Sequence, residues 1–374
     1  MEQAEYKRYL YSYIKLFSLY LNNKSAEDLV IDDKMLSFFI KLSKYHSLTA
    51  FLYKAIKDTK AKVNEEQLKK LEEWYYSNLR KTVLFEQERQ KLYDFLNENQ
   101  IDFLPLKGLV LEKYYSDPYT REFADNDILF ASKAEAIKDF FVNRGYKVEM
   151  FGKWCHDTYM KSPFYNFEMH RLLFDESTAR SDIFTYFENY MVKSLVKDKF
   201  EHFLSLEDFY IYYTAHSYKH FHASGCGLRT LVDYYIFLKK FNLNFDYINI
   251  ELESINLLDF SNMIRNLSVK LFDNTPLDNE EEKTLLYISS AGTYGLLENK
   301  VENGIREKGK FKYFMRRVFP PLITYKKFYP WAYKTKVLIP IAWAFRLIRR
   351  VIKNPKKVAV ELKTIKNTKF NKEN

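Results

Sequence analysis

The chain has 374 residues, a formal net charge of +10 and a hydrophobic fraction of 47%, which is enough apolar sequence for two packed domains or one large one. Its 9 glycines and 9 prolines exclude a collagen-like or low-complexity protein, and its two cysteines exclude both a disulfide framework and a four-cysteine metal site. The N-terminus carries charges throughout and lacks the apolar run of a signal peptide, so we expect a cytoplasmic protein.

In chain order, the spacing of apolar residues predicts four regions. Residues 1–97 predict helices, the last of them a long amphipathic helix over residues 64–97. Residues 98–178 contain short apolar runs, bounded by turn residues and interrupted by one helix, which predict the strands of a small α/β or α+β domain. From residue 179 to 300 the pattern returns to helix throughout, and residues 301–374 predict a basic helical region.

The positive charge is concentrated in that last region. Residues 301–374 contain 20 Lys and Arg against 4 Asp and Glu, which leaves 39 against 45 for residues 1–300. Such a segment suggests an anionic partner, either a membrane surface or nucleic acid. Its most apolar stretch, residues 336–353, is too interrupted by Pro340 and arginines to span a bilayer. Two readings stay open: a basic amphipathic helix on a membrane surface, which would make the protein peripheral, or a helix packed on the body.

The segment TREFADNDILF, residues 120–130, raises the first chemical question. In a strand, residues two apart share a face, so Asp125 and Asp127 would lie side by side with Asn126 turned away. Mg²⁺ is suited to such a carboxylate pair, with Mn²⁺ as the alternative. Glu168, a lone acid in the aromatic strand FYNFEMHRLL, would complete the site. The competing interpretation is a polar turn before a strand, a pattern that is common by chance.

A phosphate site is predicted just upstream. Gly108 would let backbone amides approach a phosphate at a helix start, and Lys107 would add a positive charge. The G-x-x-x-x-G-K-[ST] loop is absent.

A second cluster lies on the helix predicted around residues 206–223. His216, Lys219 and His220 share one face, which could close over nucleotide phosphates, bind zinc or be solvated. On the next helix, Arg229 could contact substrate or form an intrahelical ion pair with Asp233.

Together these parts resemble the uncharacterised bacterial nucleotidyltransferases of the polymerase-beta-like superfamily. The resemblance covers roughly residues 95–350. The residues that match its motifs are Lys107, Gly108, Tyr115, Pro118, Arg121, Asp125, Asp127, Glu168 and His170, the segment HSYKHFHASGCGLRTLVD and GTYG at residues 292–295. The chain departs from the wider superfamily in having Lys-Gly for Gly-Ser, and in having Asn126 where an aliphatic residue is usual, which predicts a more exposed strand.

The resemblance implies an α+β protein in which a small mixed β-sheet core, residues 98–178, is embedded in a largely α-helical chain, with residues 179–300 closing on the substrate. It implies a Mg²⁺-dependent enzyme that moves a nucleoside monophosphate from a triphosphate such as ATP to an unidentified acceptor, a small molecule, sugar phosphate or protein, and releases pyrophosphate. It also implies two sets of site residues. Asp125, Asp127 and Glu168 would be catalytic and bind the metal; Lys107, Gly108, Arg121, His170, His216, Lys219 and Arg229 would contact the nucleotide.

Two alternatives remain at this stage. Arg121 could bind phosphate or pair with one of the two aspartates. The whole protein could instead be a catalytically inactive nucleotide-binding or scaffold protein, whose basic C-terminal region binds membrane or nucleic acid.

Overall fold

The computed structural model describes residues 2–176, 180–293 and 295–368. They divide into two units: the first contains the chain up to His216 together with Leu228–Leu286, and the second contains Ser217–Gly227 and the chain from Tyr287 onward. The four regions expected from the sequence do not coincide with these units, and the four-part division stays a prediction.

The first unit begins with four helices, as the sequence predicts. The longest starts where the Asn64 side chain accepts hydrogen bonds from the backbone N–H groups of Glu66 and Gln67, and it continues for 34 residues without glycine or proline. These helices are α1 (Gln3–Leu21), α2 (Asp33–His46), α3 (Thr49–Thr59) and α4 (Glu65–Glu98).

The centre of the first unit is one mixed sheet of seven strands. Its strands are β1 (Phe103–Pro105), β2 (Asn126–Phe130), β3 (Lys147–Met150), β4 (His156–Lys161), β5 (Tyr165–His170), β6 (Leu195–Asp198) and β7 (Glu201–Phe203). They lie in the order β3-β4-β5-β2-β1-β7-β6, with β2 parallel to β5 and β1 parallel to β7. A small mixed sheet in a largely helical chain confirms the predicted α+β class.

Two edge strands contradict the sequence-based expectation of helix throughout residues 179–300. β6 and β7 form an antiparallel pair, and β7 adds the pair to the sheet beside β1. All four residues of β6 are exposed, so neither strand shows the apolar alternation that identifies a half-buried strand. Their position depends on pairing with a strand about 100 residues earlier, which local periodicity does not report.

One face of the sheet packs on α4 and forms the main core. Alternate residues of β2 and β5 enter this core, among them Ile128, Phe130 and Phe167, and they meet Phe85 and Leu92 of α4. Because side chains of a strand alternate between faces, the residues between them point to the opposite face of the sheet. That opposite face carries Asp127, Glu168 and His170.

The remaining helices of the two units were largely predicted from sequence. Helices α8 and α12 have residues in both units. Those that start before residue 287 are α5 (Gly108–Leu111), α6 (Ala134–Asn143), α7 (Ser181–Phe187), α8 (Leu206–Ser224), α9 (Leu228–Lys240), α10 (Phe245–Ser254), α11 (Leu258–Phe272) and α12 (Asn279–Ala291).

The second unit continues with six further helices. They are α13 (Leu297–Lys308), α14 (Lys310–Val318), α15 (Leu322–Phe328), α16 (Pro330–Thr335), α17 (Ile339–Lys353) and α18 (Pro355–Asn367). Across the described parts of the chain, none of the helices combines the length and the apolar character needed to cross a bilayer.

Candidate metal and nucleotide site

Three neighbouring strands bring acidic and imidazole side chains together on one face of the sheet. The parallel register of β2 and β5 sets Asp127 directly beside Glu168. The antiparallel register of β4 and β5 sets His156 beside His170, with ring centroids 5.0 Å apart. Each position follows from strand pairing, so the cluster is fixed by the backbone of the sheet.

Asp127 is at the centre of this cluster. Its Oδ1 atom lies 2.6 Å from Nζ of Lys107 and 2.7 Å from Nε2 of His170. Glu168 Oε2 lies 3.7 Å from Nε2 of His156 and 3.8 Å from Nε2 of His170. Asp127, Glu168 and His170 can each offer one ligand atom, and these atoms lie within 4.8 Å of one another.

Asp125 lies at the edge of this group. The strand begins at Asn126, so Asp125 precedes β2. The pairing of Asp125 with Asp127 on one strand face had assumed that both residues belong to the strand. Burial and the nearby charge of Asp127 raise the pKa of Asp125 to about 6. Its charge therefore acts on the cluster, although it is not among the three ligand atoms grouped above.

The acidic groups of the site are electrostatically unbalanced. Burial, followed by the charges of Asp127 and Asp125, raises the pKa of Glu168 to about 7. Burial alone would raise the pKa of Asp127 too, but Lys107 and His170 hold it well below its ordinary value. Burial lowers the pKa of Lys107, but the neighbouring Asp127 charge outweighs burial and raises that pKa above its ordinary range. The negative charge of Asp127 is thus stabilised by its partners, whereas a proton or a bound cation would stabilise Asp125 and Glu168.

This imbalance predicts a pH-dependent metal affinity. Glu168 and Asp125 must lose their protons before they can bind a cation, so we expect Mn²⁺ affinity to rise through about pH 6–7 and to level off above about pH 8. Titration calorimetry in buffers of different ionisation heat should detect protons released on Mn²⁺ binding at the lower pH and almost none at the higher one. An affinity that stays constant across this range would contradict the assignment of these carboxyls as ligands.

The Lys107–Gly108 turn places the lysine over the carboxylates. Lys107 has φ +48° and ψ −113°, a conformation that costs a non-glycine residue of the order of 1–3 kcal/mol. The N–H of Leu106 donates to the carbonyl of Asp127 at 3.0 Å, which ties the turn to β2. The strained backbone of Lys107 directs its ammonium group towards the Asp127 carboxylate.

A family model described as uncharacterised nucleotidyltransferase matches residues 33–273, which is more than half of the chain. The chain belongs to this family. No curated protein and no solved structure matches it.

Membership of the nucleotidyltransferase family confirms the resemblance seen in the sequence and supports nucleotidyl transfer as the general chemistry. The matched residues extend from α2 to α11 and include every acidic residue of the site. They also include α4, whose residues the sequence analysis did not connect with the site.

Arg121 does not pair with either aspartate of the site in this nucleotidyltransferase. Its guanidinium donates to both carboxylate oxygens of Asp233, through Nε at 2.8 Å and Nη2 at 2.9 Å. Tyr115 and Tyr213 also donate to that carboxylate, at 2.6 and 2.8 Å. Arg121 is 4% exposed and holds the loop before β2 against α9, and the nucleotide contact expected of it stays a prediction.

The sequence-based ion pair between Arg229 and Asp233 is also wrong. Asp233 is bonded to Arg121, while Arg229 donates to the backbone carbonyl of Glu122. Both arginines therefore hold the segment that leads into the Asp125–Asp127 pair.

Gly108 has a packing role besides the phosphate contact predicted for it. A Cβ atom at this position would lie 2.7 Å from Nη1 of Arg121, whose guanidinium is fixed by Asp233. We expect Gly108→Ala to lower the free energy of unfolding by about 1–3 kcal/mol, measured by urea denaturation. The penalty should be smaller when Arg121→Met is present in both proteins, and an equal penalty in the two backgrounds would contradict this explanation.

The histidine-bearing helix is divided between the two units. His216 of α8 lies in the first unit, next to Tyr212, whereas Lys219 and His220 lie in the second. Neither of the two candidate donor groups found among residues 2–176, 180–293 and 295–368 includes His216 or His220, so the zinc alternative gains no support. Tyr294 of the GTYG motif lies outside the described residues.

Two features of the site were missed from the sequence. Asn126 was expected in an exposed strand, yet it is fully buried and accepts a hydrogen bond at 3.0 Å from Arg89 of α4, which also pairs with Glu112 at 3.2 Å. Cys155 and His156 form a second group of ligand atoms within 4.8 Å together with His170. The sequence predicted HDTYMK as a strand but not its partner. Its pairing with β5 is what places His156 beside His170.

Proposed function

We propose that this chain transfers a nucleoside monophosphate from a metal-bound nucleoside triphosphate to an acceptor and releases pyrophosphate. The observation that carries the proposal is the register of β2 and β5, which holds Asp127 against Glu168 with His170 beside them. Family membership supports the reaction class. The acceptor is an unidentified hydroxyl or phosphate group.

The donor atoms fit a divalent cation such as Mg²⁺ or Mn²⁺. Asp127, Glu168 and Asp125 would hold it, with His170 as an additional nitrogen donor or as the hydrogen-bond partner of Asp127. The raised pKa of Glu168 supports the fit, because a bound cation would offset the repulsion from Asp127 and Asp125 that contributes to it. When bound, the cation would act as a Lewis acid and offset the negative charge that develops on the transferred phosphoryl group.

The chain's own residues account for the remaining parts of the step. The acceptor oxygen bonds to the α-phosphorus, the bond from that phosphorus to the pyrophosphate oxygen breaks, and pyrophosphate leaves. Glu168, which the strand register sets beside Asp127, would take the acceptor's proton. Lys107 is positioned to offset negative charge on the phosphates.

The further nucleotide contacts remain part of the proposal. The resemblance assigns Gly108, Arg121, His170, His216, Lys219 and Arg229 to the nucleotide, and these contacts stay proposals. A location in the cytoplasm and a bacterial source are likewise expectations from the sequence.

Titration calorimetry with each of the four ribonucleoside triphosphates, with and without Mg²⁺, tests the proposal. We expect one triphosphate to bind in a Mg²⁺-dependent way, and we expect Asp125→Asn/Asp127→Asn to abolish that binding. A matched control is Asp139→Asn, an exposed acid on α6, which should bind as the original chain does. If no triphosphate binds under any condition, the enzyme proposal fails, and the inactive nucleotide-binding alternative fails with it.

A further inference from the structure

Helix α17 of the second unit buries Ala342 and packs Ile339 and Trp343 against an apolar cluster of its own unit, yet it also turns charged side chains inward. Two of its three arginines, Arg346 and Arg350, point into the unit. Arg346 Nη2 donates to the carbonyls of Arg317 and Val318, at 3.0 and 2.7 Å. Arg350 pairs with Glu361 of α18, a residue only 6% exposed. A helix on a water-exposed surface usually buries its apolar stripe and leaves its charged face in solvent.

The outward face of α17 is a continuous apolar stripe. Ile341, Phe345, Ile348 and Ile352 follow one another at intervals of four, three and four residues, and each is more than half exposed. Side chains at this spacing lie one above the other on the helix. The stripe is therefore a single apolar surface facing away from the unit, and not a set of scattered exposed residues.

Glu361 fixes this orientation. Its carboxylate accepts hydrogen bonds from Arg317 of α14, Arg350 of α17 and Tyr313 of α14. The three contacts direct the polar sides of α14 and α17 inward. On α14 this leaves Phe311 and Phe314, one helical turn apart, exposed to solvent.

Exposed apolar side chains are concentrated in this part of the chain. Of the 26 large hydrophobic residues that are exposed in the described chain, 13 lie between Phe311 and Leu362. The same stretch carries exposed basic residues close to the stripe in sequence: Lys334, Lys336, Arg349, Lys353, Lys356 and Lys357. An apolar stripe among exposed lysines and arginines matches the two layers of an anionic lipid surface, acyl chains and charged headgroups.

The same arrangement suits nucleic acid less well. The exposed lysines and arginines would suit a phosphate backbone as well as lipid headgroups, but binding to single-stranded nucleic acid also uses aromatic faces for base stacking. Here Arg317, Arg346 and Arg350 are committed to partners within the unit, and the outward stripe of α17 is mainly isoleucine. We infer that the second unit binds an anionic lipid surface, with α17 lying in the plane of the headgroups and its isoleucine stripe among the acyl chains. This inference is independent of the proposed transferase reaction.

Vesicle co-sedimentation tests this surface with the full chain. We expect binding to vesicles of phosphatidylcholine mixed with phosphatidylglycerol, and at least tenfold weaker binding to phosphatidylcholine alone. Ile348→Gln/Ile352→Gln should reduce binding to the anionic vesicles at least tenfold without changing the urea midpoint, because both side chains are exposed. Val30→Gln/Ile250→Gln removes two comparably exposed apolar residues of the first unit and should bind as the original chain does.

Three results would overturn the inference. The first is unchanged vesicle binding by the Ile348/Ile352 variant. The second is a dimer of the original chain that the Ile348/Ile352 variant converts to a monomer, with no vesicle binding by either of these two proteins. That result would show that the stripe packs against a second copy of the chain. The third is salt-dependent binding to single-stranded RNA without binding to anionic vesicles.

Discussion

Asp127→Asn is expected to weaken Mn²⁺ binding by more than about 100-fold, since loss of a residue that only supports a ligand already costs about 10–100-fold. Asp127 is the central carboxylate of the site, within hydrogen-bonding distance of Lys107 and His170 and beside Glu168. The amide that replaces it carries no charge and is a weaker donor to a hard cation. The free Mn²⁺ signal in electron paramagnetic resonance measures the change without knowledge of the acceptor.

The same variant should also be less stable, and the two effects can be separated. Asp127→Asn leaves Lys107 largely buried without its carboxylate partner, which should cost about 3–5 kcal/mol in the free energy of unfolding. Lys107→Met/Asp127→Asn removes the stranded charge and should recover most of that stability, while Mn²⁺ binding remains lost. Full Mn²⁺ affinity in the double variant would show that Asp127 is not a ligand.

Asp233→Asn is expected to destabilise the first unit by about 3–5 kcal/mol. The Arg121 guanidinium and two tyrosine hydroxyls converge on this carboxylate, which is 1% exposed, and removing its charge leaves a buried guanidinium uncompensated. Burial opposes ionisation of Asp233, but Arg121 outweighs it and keeps the pKa of the carboxyl below its ordinary value. The midpoint of urea unfolding measures the loss.

The pair itself, and not either residue alone, should determine this effect. Arg121→Met/Asp233→Leu replaces both charges with apolar side chains and should recover part of the lost stability, because no buried charge is left unpaired. The recovery is incomplete because the hydroxyls of Tyr115 and Tyr213 lose their acceptor. Glu280→Gln breaks an exposed ion pair with Lys283 on α12 and should leave the midpoint where it was. Equal midpoints for Asp233→Asn and the original chain would refute the structural role of the pair.

The sequence could predict those parts of the site that depend on local pattern. The strand around Asp127 shows a short apolar run and the strand around Glu168 shows apolar alternation, and the resemblance to the nucleotidyltransferase family linked them. The structure then places Asp127 and Glu168 in one parallel register. The helical character of residues 1–97 was equally visible from the three- and four-residue period, although the sequence did not separate α2 from α3.

Contacts between distant segments could not be predicted in this way. Arg121 and Asp233 are 112 residues apart, and Arg89 and Asn126 are 37 apart. Neither contact has a local signal in the sequence, because each forms only when distant segments of the chain pack together. The edge strands β6 and β7 belong to the same class. They pair with each other, but β7 joins the sheet beside β1, a strand far upstream in the chain, and β6 is exposed along its whole length.

Helix α4 contacts the segment that leads into the acidic site, residues 119–126, at three places along one helix face. Asn78 donates to the carbonyl of Tyr119 at 2.7 Å, Lys81 to the carbonyl of Phe123 at 2.8 Å, and Arg89 to the side chain of Asn126 at 3.0 Å. The segment that ends in Asp125 is thus supported over its whole length by a helix that precedes it in the chain. A shortened chain starting at residue 98 would keep all three acids and yet lose the support that sets their spacing. The smallest fragment worth purifying for nucleotide-binding work should therefore begin before Asn64, which caps this helix.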